Sequence, residues 1–119
     1  MAQTVEQRRA QIAWERAKAN SRFEKEYVSL AKGAPALVMG NGLMPALAYW
    51  QSRGKGHATA LCQDVLVALH DRMKCPQDFE GAMRFLQDRD SRAYMQATEE
   101  ALEFLKWLRQ FADSLARKN

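Results

Sequence analysis

The sequence predicts an all-α fold: a single-domain bundle of about five to six helices over residues 1–119, closed by a long C-terminal helix. Three observations point there. Only 3 prolines and 6 glycines interrupt the chain, and β-branched residues are scarce between stretches rich in Ala, Leu, Gln, Glu and Arg, which favour helix. In the last third, Tyr94, Thr98, Ala101, Leu105, Leu108, Ala112 and Leu115 alternate spacings of four and three, the pattern of a packed helical seam. The length of 119 residues, 47% hydrophobic and 27% charged, suits one core and not two.

The first helix is expected over 3–20. At about 100° per residue, Ala10, Ala13, Trp14 and Ala17 fall on one side suited to close packing, and Arg9 and Arg16 lie on a flank beside Val5 and Ile12. Ser21-Arg22-Phe23-Glu24 has capping-box spacing and is expected to restart the helix. A second helix runs through Tyr27, Leu30 and Ala31 to Gly33, where Pro35 is expected to kink or end it, before a short turn to Met39. Gly40-Asn41-Gly42 reads as the clearest break, with Asn41 capping the next helix and Pro45 in its first turn. The third helix carries Leu43, Leu47 and Trp50 on one face and stops at Arg53-Gly54-Lys55-Gly56. A fourth, over 57–74, repeats Leu61, Val65, Leu69 and Met73 at fours beside Cys62 and Leu66, and Pro76 closes it. A fifth, over 78–87, takes Asp78 as its cap and presents Phe79, Met83 and Leu86. The last is expected over 88–117. Leu102, Phe104, Trp107 and Phe111 widen its apolar surface beyond a two-residue stripe, so it should touch neighbours on several sides and form the centre of the bundle.

No catalytic residue, metal ligand or cofactor is predicted. His57-x4-Cys62 and His70-x4-Cys75 repeat thirteen residues apart, but residues five apart on a helix point about 140° from each other, too far to grip one tetrahedral ion. No nucleophile stands in an alignable arrangement with a base, and Gly40-Asn41-Gly42 lacks the lysine of a phosphate loop. Glu99 and Glu103 with Lys106 read as a solvated rim, and Asp88 and Asp90 beside Arg89 as helix-start charge. Two cysteines make no disulfide framework, no window approaches 18 apolar residues, and the N-terminus lacks an apolar signal core. An intracellular, soluble, cytoplasmic protein with reduced thiols and no membrane partner is expected.

The charge is uneven. The net +4 divides into nine Lys/Arg against four acidic groups in residues 1–60 and nine against ten in residues 61–119. Arg8 and Lys18 share an outward arc of the first helix with Gln7, Gln11 and Glu15; Arg22 and Lys25 join that arc if the helix continues past Asn20, and a break at Ser21 puts them on the next element nearby. Arg53 and Lys55 occupy a glycine-flanked loop in a stretch without acids between Lys32 and Gln63. These six cations, Arg8, Lys18, Arg22, Lys25, Arg53 and Lys55, are the candidate contacts to a nucleic-acid backbone, because phosphate contacts need only long cationic side chains at roughly repeating spacing. The competing reading is a solvated face interspersed with Glu6, Glu15, Glu24 and Glu26. Trp14, Tyr49 and Trp50 are expected in the core, not as stacking residues.

Three segments together resemble the small α-helical subunit of the CRISPR type III-B effector, the Cmr complex. Arg9-Ala10-x-x-Ala13-Trp14 is similar to its N-terminal helix. Tyr27-Val28-Ser29-Leu30-Ala31-Lys32 through Pro35, Asn41-Gly42-Leu43 and Ala46-Leu47-Ala48-Tyr49 are similar to its middle signature. Tyr94-x-x-x-Thr98-Glu99-Glu100-Ala101-Leu102-x-x-Leu105-Lys106-Trp107-Leu108-Arg109-Gln110-Phe111-Ala112 is similar to its closing helix. The resemblance implies a non-catalytic subunit that stacks with copies of itself, bracketed by a large polymerase-like subunit and repeated backbone subunits. Its basic face would line the path of the guide RNA and target RNA. Of the matched positions, only Arg9 is a candidate for carrying a binding role. The alternative is a helical adaptor without nucleic-acid contact, binding protein through exposed parts of Leu43, Tyr49 and Trp50 or of the last helix.

Overall fold

The computed structural model describes residues 2–54 and 56–116. Among them lie six α-helices and one 3₁₀ turn, and no strand: α1 Val5–Ala19, the 3₁₀ turn Ser21–Phe23, α2 Glu24–Asn41, α3 Leu43–Ser52, α4 Gly56–Met73, α5 Phe79–Gln87 and α6 Ser91–Ala116. No helix among the described residues is long and apolar enough to cross a membrane.

The long last helix is the centre, as its wide apolar surface predicts. It packs against α1, α2 and α4 and touches α3, burying Ala97, Ala101, Phe104, Leu105, Leu108 and Ala112. Each fully buried Leu or Phe in that seam contributes about 1.5–3 kcal/mol of transfer free energy. Its expected end at Arg117 lies outside the described residues. The Asp90 carboxylate accepts from the Ala93 N–H at 2.8 Å, satisfying one orphan donor of the first turn. Asp78 does the same for α5, accepting from the Gly81 N–H at 2.7 Å.

Three local expectations are corrected. Ser21 does not cap a helix; its hydroxyl donates to the Lys18 carbonyl at 3.0 Å, finishing α1 before the 3₁₀ turn leads into α2. The reciprocal capping box sits at the opposite end of α1, between Thr4 and Gln7. Nor does Pro35 end the second helix: α2 runs through Gly33 and Pro35 to Asn41. Proline removes one N–H donor, but Tyr27, Ala31, Ala34 and Val38 are all buried along this helix, and that burial outweighs the lost bond. Asn41 therefore belongs to α2, donating to the Leu37 carbonyl at 3.3 Å, and does not cap α3. The chain reverses at Gly42, at φ 97, where a side chain is strained. The cap of α3 arrives from elsewhere in the fold: the Met44 N–H donates to the Tyr94 hydroxyl of α6 at 3.0 Å.

Helix α1 buries Ile12, Ala13 and Ala17 and packs chiefly against α6. Arginines dock it. Arg9 makes a two-pronged pair with Glu100 of α6, at 2.7 and 2.8 Å, and Arg72 of α4 approaches the same carboxylate at 3.4 Å. Arg16 donates to the fully buried Asp64 of α4 at 2.6 Å. Asp64 also accepts two bonds at 2.9 Å from Asn20, at the end of α1, and one from the Tyr27 hydroxyl of α2. One carboxylate thus ties together α1, the turn after it, α2 and α4.

Removing that carboxylate orphans several buried donors at once. Asp64→Ala is expected to lower unfolding free energy by about 3–5 kcal/mol in denaturant titration well above pH 6. Burial pushes the Asp64 carboxyl up from 3.8 to about 6, against the pull of Tyr27, Arg16 and Asn20. A raised carboxyl binds its proton more tightly in the folded state, so its contribution is full below 3.8 and is lost as pH rises through about 6. Unfolding measured across that window should show the decline in the natural chain and none of it in Asp64→Asn.

Candidate nucleic-acid interface

The predicted basic stripe divides in the structure. Arg8 leaves it: its guanidinium donates to Asp71 of α4 at 2.8 and 3.1 Å. That bond is the main reason the Asp71 carboxyl lies below its ordinary 3.8. Arg9 and Arg16 are committed to Glu100 and Asp64, so all three arginines of α1 are neutralised by carboxylates of α4 and α6. Arg9 is a helix-docking residue.

Lys18, Arg22, Lys25 and Arg53 are exposed and have no carboxylate within ion-pair distance among the described residues. Lys55 lies outside the described residues. Lys18 rests over the Trp14 ring at 5.8 Å, on an aromatic cluster in which Trp14 meets Phe111 edge-on at 5.3 Å and Trp107 lies 5.7 Å from Phe111. It does not reach the other three.

Lys25 and Arg53 meet at one groove of about 590 Å³, formed by α2, the C-terminal half of α3 and the start of α4. Lys25 and Arg53 line it directly, with Tyr49 and His57. Arg22 is not among its lining residues. Its guanidinium carbon lies 4.3 Å from the Phe23 ring centre and its Nη1 donates to the Ala19 carbonyl at 2.6 Å, while the Phe23 ring packs 6.4 Å from His57. Glycine at 56 permits this approach, because a Cβ there would fall 2.9 Å from the Phe23 ring. Glu26 is the one carboxylate on the groove's lining among the described residues, so positive charge prevails there.

Two of the three aromatic side chains expected in the core are in fact exposed. Trp50 is fully buried, but Tyr49 is 46% exposed and Trp14 38%. Tyr49 stands beside Arg53, whose Nη1 donates to the tyrosine hydroxyl at 2.9 Å. Leu43 and Trp50 have no exposed surface, which leaves Tyr49 and the last helix, where Met95 is exposed, as the surfaces a protein adaptor could use. Sequence reasoning also missed Asp64 and Glu100 as arginine partners. The available signal was a lone acid amid Cys62, Val65 and Leu66, and two arginines seven apart on an apolar flank.

The profile of the CRISPR-associated protein family Cas_Cmr5 matches residues 5–115. The chain belongs to the Cmr5 family. A curated relative, the CRISPR system Cmr subunit Cmr5 of Thermus thermophilus, is 32% identical over 108 residues, covering 89% of this chain and 90% of that protein. The crystal structure of a CRISPR-associated Cmr5 family protein from the same organism superposes with a TM-score of 0.83 at 30% identity, covering 96% of this chain and 98% of that one. The Cmr5 resemblance read from the sequence acquires a physical basis here: Arg9 of its first segment and Glu100 of its last are bonded to each other.

The cysteines of this Cmr5 chain are guarded. Burial pushes the Cys62 thiol up to about 12 and the Cys75 thiol up to about 11, far from the thiolate that nucleophiles and metal ligands require. His70 Nδ1 lies 3.0 Å from the Cys75 carbonyl oxygen, not against its sulfur.

The Arg8–Asp71 pair is half exposed, and such pairs contribute modestly. Arg8→Ala is expected to lower stability near neutral pH by about 0.2–1 kcal/mol without loss of helical content. Because Asp71 is depressed in the fold, its contribution is present above 3.8 and is lost as pH falls through its lowered value. Acid denaturation followed by circular dichroism should therefore show a flatter low-pH limb in Arg8→Ala.

Proposed function

We propose that this Cmr5 family chain is a non-catalytic small subunit of the cytoplasmic type III-B Cmr effector. In this reading it stacks with copies of itself, between the large polymerase-like subunit and the backbone subunits, and turns a basic face to the guide RNA and target RNA. The observation that carries it is the sorting of the cations. The arginines of α1 are neutralised by the fold, whereas Arg22, Lys25 and Arg53 are exposed with no carboxylate partner among the described residues, and Lys25 and Arg53 line one groove.

Long cationic side chains at a groove read phosphate spacing and not base identity, which suits a subunit of a complex whose sequence recognition comes from guide–target pairing. Lys25 offers a mobile point charge; Arg22 and Arg53, braced on Phe23 and Tyr49, offer planar guanidinium groups in fixed orientation. One subunit supplies few phosphate contacts, so the isolated chain binds RNA weakly and stacked copies add their contacts. A non-catalytic role accords with the protonated cysteines and with Asp64 and Glu100 locked in ion pairs.

In a reconstituted complex, the triple variant Arg22→Glu, Lys25→Glu, Arg53→Glu is expected to keep its helical content yet retain RNA less well, since all three side chains are exposed. The plot of log K against log salt should become shallower by about 2 units. Unchanged retention with an unchanged slope in filter binding would count against this surface and favour a purely protein-binding role.

A further inference from the structure

We propose that the groove between α2 and α3 seats one unpaired nucleotide of the bound RNA, with its base stacked on Tyr49 and its phosphate held by Lys25 and Arg53. This rests on the RNA-binding reading above and adds to it a contact with a base. Tyr49 is 46% exposed although its neighbour Trp50 is fully buried, so its ring is not consumed in packing. The ring is held in place. Arg53, one helical turn further on, donates to the Tyr49 hydroxyl at 2.9 Å, with its guanidinium carbon 5.4 Å from the ring centre.

A tyrosine ring and a guanidinium plane are the two surfaces on which unstacked RNA bases settle, and here the Arg53 guanidinium lies over the Tyr49 ring, the pair forming one platform. Charge and size agree with that occupant. Lys25 and Arg53 line the same groove, with Glu26 the one opposing carboxylate among its described lining residues. The volume of about 590 Å³ lies within the range of about 300–1,000 Å³ typical of small-ligand sites, room for a nucleotide.

The contact is tested in the reconstituted complex bearing the full chain, with a target RNA carrying iodouridine at successive positions. Photocrosslinking should map to Tyr49. Tyr49→Ala should weaken RNA retention about five- to tenfold with the salt slope unchanged, because no charge is lost. Tyr49→Phe, which keeps the ring and loses the hydroxyl, should stay within about twofold of the natural chain. An absent crosslink at Tyr49, or a loss in Tyr49→Phe equal to that in Tyr49→Ala, overturns the stacking. If Tyr49→Ala binds normally while the triple charge variant is weakened, the base contact fails and the phosphate surface stands; if the charge variant binds normally, the RNA-binding reading itself fails.

Discussion

Two carboxylates are buried among the helices, and the architecture is set by satisfying them. Asp64 is fully buried and Glu100 is 6% exposed; a lone charge in either place would be prohibitively desolvated. Arg16, Asn20 and Tyr27 converge on the first, and Arg9 and Arg72 on the second. Because Arg9 and Arg16 come from α1, meeting this demand sets where α1 lies. Because Asn20 and Tyr27 flank the turn after α1, it also sets how the chain enters α2.

From that anchor the functional surface inherits its position. The 3₁₀ turn delivers Phe23 to Gly56 and His57 at the start of α4, and His57 lines the groove. On the other side, the reversal at Gly42 folds α3 back against α2, and Tyr94 of α6 fastens its first turn. Tyr49 and Arg53 thereby face Lys25 across the groove. The same ion pairs that build the fold withdraw the α1 arginines from any ligand. The basic surface is what remains after folding has taken its share of the positive charge.

Much of the helix pattern was legible in the sequence. The seam of α6, the cap at Asp78 and the packing side of α1 through Ala13 and Ala17 all follow from periodicity or local chemistry, which act within one or two turns. The middle of α2 was not legible. Pro35 is a strong local break, and only contacts with distant residues, which bury Ala31, Ala34 and Val38, overrule it. The same holds for Asn41, a good cap by its own chemistry that yields its place to a hydroxyl fifty residues away in α6.

By itself the sequence determined the fold class, the central helix, the family resemblance and the excess of positive charge in the first half. Which cations are free was decided only by the tertiary structure. Ion pairing spans 48 residues for Arg16, 63 for Arg8 and 91 for Arg9, and a helix projection cannot show which carboxylate another helix will bring opposite an arginine. Exposure of Tyr49 was hidden for the same reason: its spacing is that of a core residue, and solvent reaches it because α2 and α3 part where its ring stands. Short-range patterns carry torsional and packing preference along the chain, whereas charge and burial are settled between elements, once they meet.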